Sequence, residues 1–416
     1  MIQAGVRMHR PYPVFYVTEK AEKSLRAGHP WVFGEEVTDI RGAYAQGDIV
    51  DVKSQKGAYL GSGFVNDTSK IRIRVISTNT NDRFDRAFWG RRIRYAISYR
   101  QHVMGNDFRC CRLIFGESDQ FPGLVVDRFN DVLVIQTMCL GIERIKDMIF
   151  ELLLETLREM GETIHAIYER CDVATREKEG LSLYKSFYMR DGLGLHDDLD
   201  GHVEIVENHI KFDVNYIEGQ KTGYFLDQKY NRRAIQSLAR GRKVLDCFTH
   251  TGSFALHAAA GGASHVTAVD ISSLAIAQAK ENARRNSIEA DITFVVADVF
   301  KYLDEHVAQK SRAFDFIILD PPAFTKSHAT ARNAYFGYKD INFKAMKLLP
   351  RGGYLATCSC SHFMKDEMFQ KMVLEAAAEA GVLLRLVEAR QQCADHPILM
   401  QVPETNYLKF YIFQVI

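Results

Sequence analysis

No run of about 18 uncharged apolar residues occurs anywhere in the 416 residues, so no membrane-spanning helix is expected. Met1 to Tyr16 carry charge and two prolines, Pro11 and Pro13, where a secretory signal would be apolar, so none is expected. With 9 prolines and 28 glycines the chain is too poor in both for a linker-rich or collagen-like protein. An excess of charge is also missing: 53 Lys and Arg face 52 Asp and Glu, and a net +1 names no partner. Any case for nucleic acid must therefore be local. The eight cysteines form no C-x-x-C pair, and a chain this long needs no disulfide staples, so reduced thiols in a cytoplasmic protein are expected. No histidine stands at metal-ligand spacing from them, and no metal is expected. What is present is ordinary globular composition, 47% hydrophobic and 25% charged, on a length that suggests roughly three domains.

Three blocks follow from the patterning, with no internal repeat among them. The first, residues 10–80, reads as a small β-barrel unit with strands at Val14–Val17, Asp48–Val52, Ala58–Val65 and Ile71–Ile76. Its short helix is capped by Thr18 and ends at Gly28. In Ile71-Arg72-Ile73-Arg74-Val75 apolar and basic residues alternate, which predicts one buried and one cationic face. The second block, 82–198, is an α+β module with helices over Asp82–Val103 and Ile142–Met160 and strands at Gly123–Val126, Val132–Gln136 and Ile164–Tyr168. The third, 202–416, alternates strands with 10–15-residue helices and predicts a parallel, doubly wound sheet. Its strands are Val244–Cys247, His265–Asp270, Ile292–Val296, Phe314–Leu319, Tyr354–Thr357, Leu383–Val387 and Leu408–Val415. The fold class is thus multidomain α/β.

In such a sheet ligands bind beyond the carboxyl ends of the strands. Acidic residues stand at four successive ends: Asp246, Asp270, Asp298 and Asp320, spaced 24, 28 and 22 residues apart. Asp270, after the second strand, suits two ribose hydroxyls; Asp298 suits an adenine amino group; Asp246 suits a cationic head. The first turn, Phe248-Thr249-His250-Thr251-Gly252, has one glycine and no Gly-x-Gly-x-x-Gly, which disfavours a pyrophosphate-bearing nicotinamide cofactor. A ligand with a sulfonium and an ammonium and no phosphate fits an acidic lining better. The plainer alternative is that each aspartate caps a helix, an explanation that weakens when four fall in register. At the fifth strand end stands Thr357-Cys358-Ser359-Cys360-Ser361. Cys358 lies within the strand and is expected to be buried, yet alternation allows both thiols to share a face, so the pattern alone does not choose between them.

Asp246 to Gly252, Asp270, Asp298 and Asp320-Pro321-Pro322 resemble the successive motifs of class I S-adenosylmethionine-dependent methyltransferases. Lys221-Thr222-Gly223-Tyr224-Phe225-Leu226-Asp227-Gln228 followed by Arg232 is similar to one subfamily, the PUA-containing large-subunit rRNA cytosine-C5 methyltransferases. So are Phe115-Gly116-Glu117-Ser118-Asp119, Pro122-Gly123-Leu124, Asp127-Arg128, Glu169-Arg170-Cys171-Asp172, Arg176-Glu177 and Glu179-Gly180-Leu181. The resemblance covers nearly the whole chain. It implies a PUA-like RNA-binding barrel, a central α+β domain and a Rossmann-like methyltransferase domain. It implies S-adenosylmethionine held by Gln228, Asp246, Phe248, Thr249, Gly252, Asp270, Ile271, Asp298, Val299, Asp320 and Pro321. The family's Ser-Cys-Ser selects Cys360 as the nucleophile, with Asp320 beside the base. Cytosine C5 is a poor nucleophile; a thiolate added to C6 turns it into an enamine-like carbon able to take a methyl group. Ala323 stands where many amino-methylating enzymes have an aromatic after Asp-Pro-Pro, which favours carbon over nitrogen.

From Lys70 to Arg112 eleven Lys and Arg face three Asp, interleaved with Phe84, Phe88, Trp89, Tyr95 and Tyr99. Such a stretch suits phosphate contacts and base stacking. Lys70, Arg72, Arg74, Arg91 and Arg92 are its RNA-binding candidates, joined by Lys326, His328 and Arg332 after Asp-Pro-Pro; Arg91, Arg92 and Arg94, on one helix, cannot all face the same way, so part of the stretch is a solvated face. RNA, as large-subunit rRNA or a pre-ribosomal particle, is the expected partner, no membrane partner is expected, and a homodimer is compatible with a small barrel on a long chain. Two other readings stand beside this one. One is methylation of another RNA or of a base nitrogen; the other is a non-catalytic RNA-binding ribosome-assembly factor.

Overall fold

The computed structural model describes residues 10–288, 291–325 and 331–416. Lys326 and His328 lie outside them. The chain divides into two compact units: Met1–Gly201 with Asn215–Tyr224 and Ile398–Pro403, and His202–Val214 with Phe225–Pro397 and Glu404–Ile416. Among the described residues no helix is long and apolar enough to cross a membrane.

The first unit opens with six strands, β1 (Val14–Val17), β2 (Trp31–Phe33), β3 (Val37–Arg41), β4 (Ile49–Ser54), β5 (Tyr59–Val65) and β6 (Ile71–Ser77), ordered β2-β6-β5-β4-β1-β3. Helix α1 (Glu19–Arg26) begins where the Thr18 hydroxyl accepts the Ala21 amide at 3.3 Å, as its sequence predicts. Phe15, Val17, Val32, Val50, Val52 and Ile73 are fully buried and make the core. At Gly63 the neighbouring strand comes so close that a β-carbon would lie 2.2 Å from the Arg74 carbonyl oxygen, so only glycine fits.

A second sheet follows, built from β7 (Cys110–Phe115), β8 (Leu124–Phe129), β9 (Val132–Thr137), β10 (Ala166–Cys171) and β11 (Tyr184–Phe187) with helices α2 (Arg86–Met104) and α3 (Leu140–Glu159). Its order is β11-β10-β9-β8-β7, and β9–α3–β10 is a parallel crossover. Every residue of β8, β9 and β10 is buried.

The cationic face expected on β6 is neutralised. Arg74 is largely buried, with Glu117 at 3.1 Å and Glu179 at 2.9 Å, and Arg72 pairs with Asp67. Glu179 also accepts from Asn66 and Ser69, so it ties the barrel to the segment after β10. Arg86, Arg100, Arg109 and Arg112 pair with Glu151, Asp119, Glu162 and Asp127. A window of sequence counts the cations but not the carboxylates that fold onto them. Lys70, Arg91 and Arg94 remain exposed.

The second unit starts with a two-stranded hairpin, β12 (His202–Glu207) and β13 (Ile210–Asn215). Its two-residue turn, Asn208 and His209, has positive φ at both positions, 49° and 71°, the geometry such turns favour. Helix α4 (Lys229–Ala239) leads into alternating elements: β14 (Lys243–Cys247), α5 (Ser253–Ala260), β15 (His265–Asp270), α6 (Ser273–Arg285), β16 (Ile292–Val296), α7 (Val299–Ala308), β17 (Phe316–Leu319), α8 (Ala331–Leu348), β18 (Tyr354–Ser359), α9 (Asp366–Ala380), β19 (Leu384–Arg390) and β20 (Lys409–Val415). The sheet order is β16-β15-β14-β17-β18-β20-β19. Six of the seven strands run the same way as predicted, but β20, between β18 and β19, runs antiparallel to both. A parallel return needs a crossover, usually a helix, and no α-helix separates β19 from β20. The order reverses at β14, which opens the crevice between the loops after β14 and β17.

One buried ion pair fastens the hairpin to the sheet. Arg232 of α4, 1% exposed, forks onto Glu207 at 2.5 and 2.8 Å and gives a third bond to the Phe225 carbonyl at 2.7 Å. Burial works to raise the Glu207 carboxyl, yet the arginine outweighs it and holds the group below its ordinary value. His257 beside it is pushed down to about 4 by burial and stays neutral. Arg232→Met leaves Glu207 buried without a counter-charge. It should cost about 3–5 kcal/mol of stability in urea unfolding, and Glu207→Gln in the same chain should restore part of the loss.

Candidate functional site

The site is built on the ends of β14, β15, β17 and β18, all within the second unit. The chain leaving β14 turns through Phe248 and His250 at φ 62° and 51° and Gly252 at φ 83°. Positive φ at an aromatic residue is strained, and the surroundings hold it. The Thr249 amide donates to the Val269 carbonyl at 3.0 Å, and the His250 amide donates to Asp270 at 2.9 Å. Gly252 is fixed by packing as well as by φ, since a β-carbon there would meet Leu256 at 2.8 Å and Ala279 at 3.0 Å.

Asp246 is fully buried at the end of β14. Its Oδ2 accepts the Thr249 hydroxyl at 2.6 Å, whereas its buried Oδ1 has no donor among the described residues. Burial, with the charges of Asp320 and Asp270 adding to it, pushes this carboxyl up to about 8. An acid so placed calls for a cation that donates a hydrogen bond, and an ammonium is both.

Asp270 accepts the amides of His250 and Ser272, each at 2.9 Å, so both of its oxygens face the turn. Ile271 beside it is 69% exposed. Asp298 does cap a helix: its Oδ1 accepts the Lys301 amide at 3.1 Å. The Val299 side chain belongs to the core, which leaves only its backbone to a ligand. Phe248, Phe300 and Phe324 form an aromatic cluster with ring centroids 5.8–6.3 Å apart.

At the end of β17 the Asp320 Oδ1 accepts the Cys358 thiol at 2.9 Å and the Gln228 amide at 3.2 Å. Burial raises the Asp320 carboxyl against these two hydrogen bonds. Gln228 also donates to the Cys358 sulfur at 3.4 Å and accepts from Asn231 at 2.6 Å. Pro321 is buried beside them. The two thiols that alternation left equivalent part company here, because β18 ends at Ser359. Cys358 is buried, and burial followed by the Asp320 charge lifts its thiol well above the ordinary value. Cys360 lies past the strand end and is half-exposed, while the seven other cysteines are buried. Among the described residues no cluster of metal-ligating side chains occurs.

Of the RNA candidates in the first unit, Arg92 is half-buried over the Phe88 ring at 4.4 Å, donates to the Gln120 carbonyl at 2.9 Å, and is pushed down to about 10 by burial. Arg332 of the second unit is exposed on α8. The anchoring residues lay within the sequence motifs, but their roles were not legible. Arg170 donates to the carbonyls of Tyr216 and Gly219 at 3.0 and 2.8 Å, and Asp127 accepts the Thr222 hydroxyl at 2.6 Å. These bonds fix the Lys221-Thr222-Gly223 segment.

The doubly wound sheet, the acidic crevice at its switch point and the turn without a phosphate loop define a class: an α/β enzyme for a cationic, adenosine-bearing cofactor. Residues 194–414 match the family described as S-adenosylmethionine-dependent methyltransferase, and residues 15–78 match a PUA-like domain. The chain is 39% identical over 405 residues to "Ribosomal RNA large subunit methyltransferase I" of Pseudoalteromonas translucida, covering 96% of this chain and 98% of that one. It is 40% identical over 397 residues to the protein of the same name in Shewanella amazonensis, covering 95% and 97%. A solved chain from Streptococcus mutans, described as a candidate SAM-dependent methyltransferase, shares the fold with a TM-score of 0.80 at 21% identity, covering 97% of this chain and 100% of that one. A further solved methyltransferase, complexed with SAH, gives 0.81 at 21% identity with the same coverage. The chain belongs to the S-adenosylmethionine-dependent methyltransferase family and carries a PUA-like domain.

S-adenosylmethionine is the cofactor of this family, and the residues fit it. The orphaned Asp246 oxygen meets the need of an ammonium, and the first turn, with its single Gly252, has no Gly-x-Gly-x-x-Gly to cradle a phosphate. Asp246 ties stability to binding. Its folded pKa near 8 lies above the unfolded 3.8, so the native state alone keeps the proton between these values. Stability of the ligand-free protein therefore falls as pH rises from about 4 toward 8. Asp246→Asn removes that loss. Thermal unfolding at pH 8 should show the variant more stable than wild type by about 1 kcal/mol or more, with the gap closing near pH 4. Calorimetry should show at least tenfold weaker S-adenosylmethionine binding by the same variant.

Proposed function

We propose that the chain methylates carbon 5 of a cytosine in large-subunit ribosomal RNA through a covalent bond between Cys360 and C6. The observation that carries the reading is the setting of Cys360, the one half-exposed thiol of eight, just past the end of β18 and beside β17, the strand that Asp320 follows. The names of the relatives support the large-subunit rRNA target, and the PUA-like domain supports an RNA substrate.

S-adenosylmethionine, when bound, supplies an electrophilic methyl group, with Asp246, Asp270 and Asp298 among the residues that would hold it. The chain's own residues prepare the acceptor. The Cys360 thiolate adds to C6, and the electron pair displaced from the C5–C6 bond makes C5 nucleophilic. Asp320, held toward its protonated form by burial, donates a hydrogen bond to N3 and stabilises the adduct. After C5 has gained the methyl group, its proton passes to a base; the C5–C6 double bond re-forms as the thiolate leaves. Cytosine must be single-stranded or flipped out for this attack, which suits a chain with its own RNA-binding domain.

Nucleoside mass spectrometry on unmodified large-subunit rRNA incubated with S-adenosylmethionine should show new 5-methylcytidine with wild type and none with Cys360→Ala. RNA carrying 5-fluorocytidine, which has no C5 proton to lose, should trap wild type as a denaturation-resistant complex. A different methylated nucleoside made by both proteins would overturn carbon methylation. Failure to bind S-adenosylmethionine would instead favour an assembly factor with a vestigial cofactor pocket.

A further inference from the structure

Strand β20 reads Lys-Phe-Tyr-Ile-Phe-Gln-Val and carries a single charged side chain, Lys409, 7% exposed. It stands opposite Ser359, the last residue of β18, so its neighbour across the ladder is the residue before Cys360. Its ammonium donates to the carbonyl of Ser361, the residue after Cys360, at 2.6 Å, and to the Tyr407 carbonyl at 2.7 Å. The lysine therefore grips the chain on both sides of the half-exposed thiol.

A buried ammonium usually has a carboxylate, and among the described residues Lys409 makes no ion pair. The charged and titratable groups that act on it come from two places. Cys358 and Cys360 belong to β18 and its end, while Lys365 and Asp366 belong to the start of α9. Asp366 is already taken by the Tyr411 hydroxyl at 2.6 Å and the Gln370 amide at 2.9 Å. Cys358 is hydrogen-bonded to Asp320. Burial pushes Lys409 down to about 8, with Cys360 the strongest of the neighbours that work to raise it. Two carbonyl dipoles solvate the ammonium but leave its charge uncompensated, and the thiolate of Cys360 is the anion that would compensate it.

We propose that Lys409 is the positioning residue of Cys360, pinning the turn that carries the thiol and stabilising its thiolate. The ionisation releases one proton to solvent and forms no bond. The proposal deepens the reading that Cys360 is the nucleophile, but its test does not need catalysis.

Cys360 is the half-exposed thiol, so its alkylation by iodoacetamide can be followed in the folded full-length chain by peptide mass spectrometry from pH 5 to 10. In wild type the half-maximal rate should fall below the ordinary thiol value of about 8.5. Lys409→Met should raise that midpoint by about one unit and slow alkylation roughly tenfold at pH 7. Lys409→Arg, which keeps the charge, should stay near wild type. An unshifted midpoint in folded Lys409→Met assigns the lysine a merely structural part and overturns the proposal, even if methylation is lost. Should Lys409→Met fail to fold, a wild-type midpoint at or above 8.5 overturns it equally. A shifted midpoint with undiminished methylation by Cys360→Ala leaves the coupling standing and removes only the nucleophile reading.

Discussion

The Arg232 guanidinium is the interaction on which the site depends. It neutralises Glu207 at the hairpin and holds the carbonyl of Phe225, so the chain entering α4 has one course. Three residues further along that course stands Gln228, whose amide bonds both Asp320 and the Cys358 sulfur. An ion pair behind the entry to α4 thus sets the angle from which the carboxyl at the end of β17 is approached. Pairs of this kind add less to net stability than their Coulomb energy suggests, because both charges are desolvated. Their value lies in the geometry that only one partner arrangement satisfies.

The two thiols at the end of β18 show how position divides identical chemistry. Cys358 is buried with its S–H directed at an acid, a setting that keeps it protonated and inert. Two residues on, past the end of the ladder, Cys360 is half-exposed and neighbours the ammonium of Lys409. Acid on one side and cation on the other give opposite tendencies to the same side chain. The same reasoning separates the aspartates. Asp298 accepts a backbone amide of its own turn, and Asp270 accepts one from its own turn and one from the turn after β14, whereas Asp246 is kept from water with one oxygen unmet.

Much of the second unit was legible because its strands are short apolar runs closed by acids and its helices have clear periodicity. The strands at β14, β15 and β16 fall where the sequence places them. Elsewhere the signal failed for identifiable reasons. Strand β2 has three residues, and β3 is exposed at four of five positions, so neither alternates. Strand β7, Cys-Cys-Arg-Leu-Ile-Phe, is buried at four of six positions and does not alternate, so its period gives no strand signal. The reversal of β20 depends on the connection before it and not on its own residues. The basic stretch misled because its acids come from distant parts of the chain: Arg74 meets Glu117 and Glu179, and Arg112 meets Asp127. Lys409 did carry a signal that went unread, a lone cation in an apolar strand.

The placing of β20 has a consequence for the order in which the protein can be assembled. It lies between β18 and β19, yet it follows both in the chain. Until residues 409–415 have emerged from the ribosome, β18 and β19 each present an open edge, and the thiol turn lacks its lysine clamp. Such edges are templates for pairing with other chains. This half of the molecule must therefore mature late, after translation has passed the whole crevice, and a chain truncated before Lys409 is a candidate for aggregation as well as for inactivity.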